Sequence, residues 1–333
     1  MNAGSWKQRR EGGGLFALWL IRSIGRYGGR ALARLCLYPI TAYFLLRRSA
    51  ERRDSRAALT RLLGRPAGLR DVARHIHTFA ATILDRVFLL GGQVDRFRID
   101  VRGIADLHAQ LDQGRGVLLF GSHLGSFEVL RVVARRRPDY RIRVVLDKAH
   151  NPAMTRLLDA LSPEIAAGVI DASQDGPSLM LAIKQAADDG ALVALLVDRT
   201  QPGAPTQPAR FFGDQAQFPV APWLIAAVLK APVFLAFGLY RGGNRYDLLF
   251  EPFAEQGLDL PRAQRTTCIA ALIQRYAGRL EHHARQAPYN WFNFYDFWNV
   301  DEQPQPASET AADAAVGAAA GRRDDGLGGA AGR

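Results

Sequence analysis

Residues 117–128 read Val117-Leu118-Leu119-Phe120-Gly121-Ser122-His123-Leu124-Gly125-Ser126-Phe127-Glu128. The first four form a continuous apolar run, the pattern of a short strand buried on both faces. Small residues then open a turn, and Phe127 begins a helical pattern that runs to Arg136. Strand, small-residue turn and helix make the repeating unit of α/β sheets. Loops at the C-terminal ends of such strands are where reactive groups gather. This loop carries His123 and, five residues on, Glu128.

The spacing lets the carboxylate turn back onto the imidazole. Glu128 would then hold Nδ1–H and leave Nε2 free to accept a proton, the arrangement of a general base. Gly121 and Gly125 would admit a substrate close to the backbone. His-x4-Glu also arises by chance, and a satisfied turn histidine beside an ordinary first-turn carboxylate is the plain alternative. Ser122 and Ser126 lack the G-x-S-x-G elbow of a covalent serine enzyme. No G-x-x-x-x-G-K-[ST] loop occurs, and no G-x-G-x-x-G follows a strand. Cys36 and Cys268 are the only cysteines and have no CxxC partner, so neither a disulfide framework nor a structural zinc site is expected. His75 and His77 are two apart, and His282 and His283 adjacent, so neither pair suits one metal. The first pair is expected on a polar helix face. No metal and no cofactor are implied.

Working outward, the pattern alternates. Residues 51–95 look helical. Arg98–Arg102 predicts an edge strand, and Ala105–Gly114 a helix ended by glycine. Strands follow at Tyr140–Leu146, Gly168–Ile170 and Ala191–Val197, with helices at Pro152–Leu161 and Ser178–Asp188 between them. Gln201–Gln217, rich in Pro, Gly and Gln, is expected to be a loop. A helix over Pro222–Lys230, strands at Val233–Leu239 and Asp247–Phe250, and a helix over Arg262–Arg285 close the pattern. The fold class is α/β, a mixed central sheet flanked by helices.

The net charge of +11 sits at one end of the 333-residue chain. Residues 1–75 hold sixteen basic and four acidic side chains, a net +12, so the rest sums to −1. Such an end needs an anionic partner. Its arginines flank two apolar blocks, Leu15–Ile21 and Leu35–Leu46, which contain Trp19, Tyr38, Tyr43 and Phe44. Aromatic residues of this kind favour the lipid–water boundary. Neither block reaches the roughly 18–20 apolar residues of a spanning helix. The pattern therefore predicts an amphipathic, interfacial helical segment over residues 1–50 on an anionic membrane surface, and no nucleic acid partner. With Arg22 after the short apolar core, cleavage as a signal peptide is not expected. Residues 51–300 form the main domain, and the Ala/Gly-rich residues 301–333 a disordered tail.

Gly121-Ser-His-Leu-Gly-Ser-Phe-Glu128 resembles the H-x4-D/E motif of the lysophospholipid acyltransferase superfamily, and most closely that of the bacterial late lipid A acyltransferases. Further blocks stand in the family's order: Asn151-Pro152 followed by Arg156, the strand-end Asp198, and Phe211-Phe212-Gly213 with Pro219 and Pro222. The resemblance spans residues 10 to 300 and implies a glycerolipid acyltransferase-like fold. It implies acyl transfer from acyl carrier protein or acyl-CoA to a hydroxyl of a lipid or glycolipid acceptor, at the cytoplasmic face of a bacterial inner membrane. His123 and Glu128 would be catalytic. Gly125, Arg156, Asp198, Phe211, Phe212 and Gly213 would bind substrate. The oxyanion would meet Arg156 or amides of Gly121–Gly125, and Phe211, Phe212 and the Trp291–Trp298 cluster would line an acyl groove or simply pack in the core. One departure is the aromatic ending Pro288–Trp298, which replaces a more basic Trp-x-His/Arg. It resembles a branch that accompanies polyene-pigment or glycolipid synthesis. A membrane-bound glycosyltransferase and a non-enzymatic membrane adaptor are the rival readings; the second needs neither His123 nor Glu128.

Overall fold

The computed structural model describes residues 29–299 except 131, 134–136, 138, 150 and 202. Residues 1–28 of the expected anchor and all of the expected tail lie outside the described residues. The elements follow in order: α1 (Leu37–Arg47), α2 (Ser49–Leu63), α3 (Leu69–Leu90), β1 (Arg98–Arg102), α4 (Ile104–Leu111), β2 (Val117–Gly121), β3 (Ile142–Leu146), α5 (Pro152–Leu161), α6 (Pro163–Ala167), β4 (Val169–Asp171), α7 (Gly176–Asp188), β5 (Leu192–Leu196), β6 (Thr206–Phe211), β7 (Asp214–Pro219), α8 (Ala221–Leu229), β8 (Val233–Gly242), β9 (Arg245–Ala254) and α9 (Arg265–Gln286).

Seven strands make one sheet in the order β1-β9-β8-β2-β5-β3-β4. All neighbours are parallel except β8 and β9. The mixed α/β sheet flanked by helices is therefore as the alternating pattern implies, with β1 at an edge. β2 and β5 sit side by side at its centre and are buried on both faces, which is why they read as unbroken apolar runs. On one face Leu118, Phe120, Val193 and Leu195 pack under α8 and α9. On the other, Val117, Leu119, Leu192 and Ala194 pack against Ala81, Leu84 and Phe88 of α3. Each large side chain so buried contributes about 1.5–3 kcal/mol.

The segment 201–217 departs from the expected loop. β6 and β7 form an antiparallel hairpin in which Phe211 pairs with Asp214. Phe212 and Gly213 both take positive φ, 52° and 91°, which is the tight turn whose twist suits a hairpin. Proline and glutamine conceal the strands, but Thr206, Ala209, Phe211, Ala216 and Phe218 are buried. Gln274 of α9 fastens β6 by accepting from the Arg210 N–H at 2.8 Å and donating to its carbonyl at 3.0 Å.

Residues 29–35 are helical and lead into α1. Two arginines expected at lipid headgroups face the domain instead. Arg30 forks onto the buried Asp85 through two 2.8 Å bonds, and Arg34 donates to the Tyr240 hydroxyl at 3.0 Å. Burying an unpaired Asp85 would be costly, so this pair pins the segment to α3. The opposite side exposes Leu32, Leu35, Tyr38, Tyr43 and Leu46, the last 76% exposed. Among the described residues no helix is long and apolar enough to cross a membrane.

Candidate active site

Parallel pairing sets the site's geometry. β2 and β5 run in register, with Gly121 opposite Leu196. His123 and Asp198 each stand two residues beyond that pair, so both emerge at the same level of the sheet. The imidazole Nδ1 lies 2.8 Å from Asp198 Oδ1, and the His123 backbone N–H donates to Oδ2 at 2.9 Å. Both carboxylate oxygens thus hold one residue, fixing its ring and its backbone together. An ionised carboxylate can only accept, so Nδ1 carries the proton and Nε2 presents its lone pair. Among the described residues Nε2 makes no hydrogen bond, and the imidazole is 34% exposed.

The electrostatics favour this state. Burial alone would raise the pKa of Asp198, which has no exposed surface. The imidazole, Arg199 and the His123 amide outweigh it, and the net is lowered. For His123, burial lowers the pKa and Arg199 pushes the same way. Asp198 opposes them, Arg86 adds to the lowering, and the ring falls below its ordinary 6.5. It is neutral at physiological pH, as a base must be.

Glu128 does not hold Nδ1, contrary to the spacing argument. Its Oε1 lies 2.5 Å from Arg86 Nε of α3, and its Oε2 accepts from the Ser126 hydroxyl at 2.9 Å. The intervening chain explains the difference. Ser126 N–H donates to Gly238 of β8, and Gly125 N–H to Asn290, each at 2.8 Å. The loop is thereby pressed onto β8 before the short 3-10 turn Phe127–Leu130 begins, and Glu128 turns toward α3. Gly125 answers to the same contact. Its φ is +76°, and a Cβ would collide with the Gly238 carbonyl, so this glycine permits the close approach of two backbones.

The other expected residues are dispersed. Arg156 is exposed on α5. Phe211 is fully buried, its ring centroid 4.7 Å from Phe212, 5.2 Å from Trp291 and 5.7 Å from Phe297, so it belongs to the core alternative. Phe212 is buried, and its N–H donates to Glu281 at 2.6 Å. Gly213 edges a shallow cleft with Arg210, Glu281 and Arg285, between the hairpin and α9. Ser126 is committed to Glu128, and Ser122 is buried. Among the described residues no cluster of ligand-type side chains could hold a metal.

The aromatic ending is the part of the site that spacing did not disclose. Residues 290–292 run antiparallel to 123–125, with Leu124 opposite Trp291. Phe292 N–H donates to the His123 carbonyl at 3.0 Å, and Arg199 Nη2 donates to the Phe292 carbonyl at 2.5 Å. The segment therefore straps the His123 loop from outside while β8 holds it from within. Asn290 anchors the strap, exchanging bonds with the Tyr240 backbone at 2.6 and 3.2 Å. His75, expected on a polar surface, is instead buried beneath it. Its ring bonds the Ser55 hydroxyl at 2.8 Å and the Trp291 carbonyl at 3.0 Å.

A sequence model of bacterial lipid A biosynthesis acyltransferases matches residues 14–299, from the basic end through the strap. The chain belongs to that family. A search of curated proteins finds no match to it. Lipid A biosynthesis acyltransferases act on acyl donors and lipid acceptors and are membrane-associated. In this member of the family Asp198 bonds His123, and Arg199 and Arg86 help lower the pKa of its ring, though none of the three lies near it in sequence. The signal for Asp198 was its place, two residues past a buried strand, matching that of His123.

Proposed function

We propose that the protein moves a fatty acyl group from an acyl thioester, on acyl carrier protein or CoA, to a hydroxyl of a lipid or glycolipid acceptor. The observation that carries this reading is the His123–Asp198 pair with Nε2 open to solvent. Nε2 takes the hydroxyl proton as the acceptor oxygen bonds to the thioester carbon, and the C=O electron pair moves to oxygen. Collapse of the tetrahedral adduct breaks the C–S bond, and the thiolate leaves with the proton held by the imidazole. Asp198 fixes the tautomer and stabilises the imidazolium, the part an aspartate plays beside any histidine base. No covalent enzyme intermediate is needed, in keeping with the commitment of Ser126 and the burial of Ser122.

Family membership supports the acyl-transfer class and the O-acyl product. The exposed face of Leu35, Tyr38, Tyr43 and Leu46, bordered by Arg47, Arg48 and Arg53, supports docking on the anionic cytoplasmic leaflet of an inner membrane.

The test compares membranes carrying native protein and His123→Ala at equal abundance, given radiolabelled acyl-acyl carrier protein and a total lipid extract. A new labelled lipid is expected from native membranes, with at least a 10³-fold slower rate in the variant. Equal rates with a competent donor and acceptor would remove His123 as the base and favour an adaptor or a glycosyltransferase.

A further inference from the structure

We propose that Arg86 takes the negative charge developing on the thioester carbonyl oxygen, and that Glu128 acts through Arg86 rather than through His123. The inference rests on reading His123 as the base.

The tetrahedral adduct needs hydrogen-bond donors fixed in advance. Backbone amides of the His123 loop are the natural candidates, but three of the five from Ser122 to Ser126 are committed. The N–H of His123 goes to Asp198, that of Gly125 to Asn290 and that of Ser126 to Gly238. Arg156, the side-chain candidate, is exposed on α5. A cation nevertheless stands against the end of the same loop, at Glu128. Arg86 leaves α3 between Asp85, which is pinned by Arg30 and Tyr246, and Val87, which packs with Leu90, Leu157 and Leu158. Its Nε lies 2.5 Å from Glu128 as an ion pair without hydrogen-bond geometry, and Nη1 lies 3.7 Å from the Met154 sulfur. Nη2 makes no hydrogen bond among the described residues. The guanidinium is near enough to help lower the pKa of the imidazole.

Glu128 is occupied in a way that serves Arg86. One oxygen meets the guanidinium, the other the hydroxyl of Ser126, whose own N–H is tied to β8. Asp198 already performs the orienting task that a second carboxylate at the imidazole would duplicate. A largely buried ion pair adds little net stability, so stability alone is a weak reason for one beside a reacting histidine. An arginine ion-paired to a carboxylate at its Nε edge leaves its other edge free to donate. It remains a cation throughout: it donates hydrogen bonds to the oxyanion as that charge appears, and no proton moves to or from it.

The test is steady-state acyl transfer by the full-length protein in membranes, with radiolabelled acyl-acyl carrier protein and total lipid extract. Arg86→Gln, Arg86→Lys, Glu128→Gln and the Arg86→Gln/Glu128→Gln double variant are compared with native protein. Arg86→Gln should lower kcat about 100-fold with KM for the donor within about twofold, and Arg86→Lys should recover part of the loss. Glu128→Gln should lower kcat in the native background and add nothing to Arg86→Gln. A raised KM with native kcat would make Arg86 a ground-state anion site and overturn the proposal. A Glu128→Gln loss of the same size in both backgrounds would overturn it as well. If a single variant fails to fold because a buried charge is left alone, the double variant removes both charges; native kcat in that folded protein would also overturn the proposal. His123→Ala in the same assay separates the readings. Native kcat there sinks the base, whereas additive Arg86 and Glu128 losses in a protein that needs His123 sink only this inference.

Discussion

Two histidines bond to the strap, His75 at Trp291 and His123 at Phe292, and they are wired differently. His75 has both ring nitrogens satisfied, Nδ1 by Ser55 and Nε2 by the Trp291 carbonyl, and it is buried to 1%. His123 has one nitrogen held by Asp198 and the other facing a partly open site. Both rings have depressed pKa values, chiefly because burial disfavours the imidazolium. A perturbed pKa therefore does not separate a structural histidine from a reactive one. What separates them is the unspent lone pair and the charge of the partner. A neutral carbonyl and a hydroxyl make His75 a brace, whereas an ionised carboxylate makes His123 ready to accept a proton.

The sharpest way to break this contrast is at Asp198. Asp198→Asn keeps shape and volume but lets the side chain donate to Nδ1, favouring the wrong tautomer and withdrawing the charge that stabilises the imidazolium. We expect kcat to fall by about 10³–10⁴, with abundance and thermal midpoint near native. Radiolabel transfer and a melting curve on the same preparations check this. A variant with native kcat would mean that the carboxylate only ties down the His123 amide.

At His75 the contrast predicts the reverse, a stability effect with activity following abundance. The pKa of His75 is lowered to about 4 by burial, against the pull of the Trp291 carbonyl. A depressed folded value means that the unfolded chain binds the proton first. Stability is then full above the ordinary 6.5 and is lost as pH falls toward about 4. The total loss is about 3 kcal/mol. His75→Gln should abolish that slope and lower stability at pH 7 by about 1–3 kcal/mol through unsatisfied partners. Thermal unfolding between pH 4 and 7.5 measures both. An unchanged slope would place the acid sensitivity elsewhere.

Which features were legible in the sequence follows from the same distinction between local and distant causes. The β2 turn and its histidine are local: apolar run, small residues, then helix. So are the order of strands and helices and the edge position of Arg98–Arg102. The Asp198 contact depends on β5 lying beside β2 although β3 and β4 come between them in sequence, and no spacing rule carries that information. His-x4-Glu invited a local answer, but Gly125 and Ser126 are bound to β8 and the strap, which sends Glu128 to α3. The β6–β7 hairpin was hidden because its turn requires positive φ at Phe212, a residue that rarely takes it. His75 read as surface because its period on α3 says which side it occupies, not that the strap covers that side.

The finest adjustment of the comparison lies at Arg199. Its guanidinium is tied to the Phe292 carbonyl at 2.5 Å and sits 5.4 Å from the Tyr295 ring centroid, so it belongs to the strap as much as to β5. After burial it is the largest influence lowering the pKa of His123. A base must be neutral, so activity is lost as pH falls through the folded pKa of His123, which lies below 6.5. Removing the cation raises that pKa, and the acid limb of kcat/KM should move to higher pH. Arg199→Gln should shift it upward, by less than an unscreened charge would, since the imidazole is a third exposed and water screens the charge. Arg199→Lys, which keeps the charge but not the fork, should leave the limb near its native place. A limb unmoved in Arg199→Gln, with kcat lowered at every pH, would assign Arg199 to holding the strap. The pKa of His123 would then be set by burial and Arg86 against Asp198 alone.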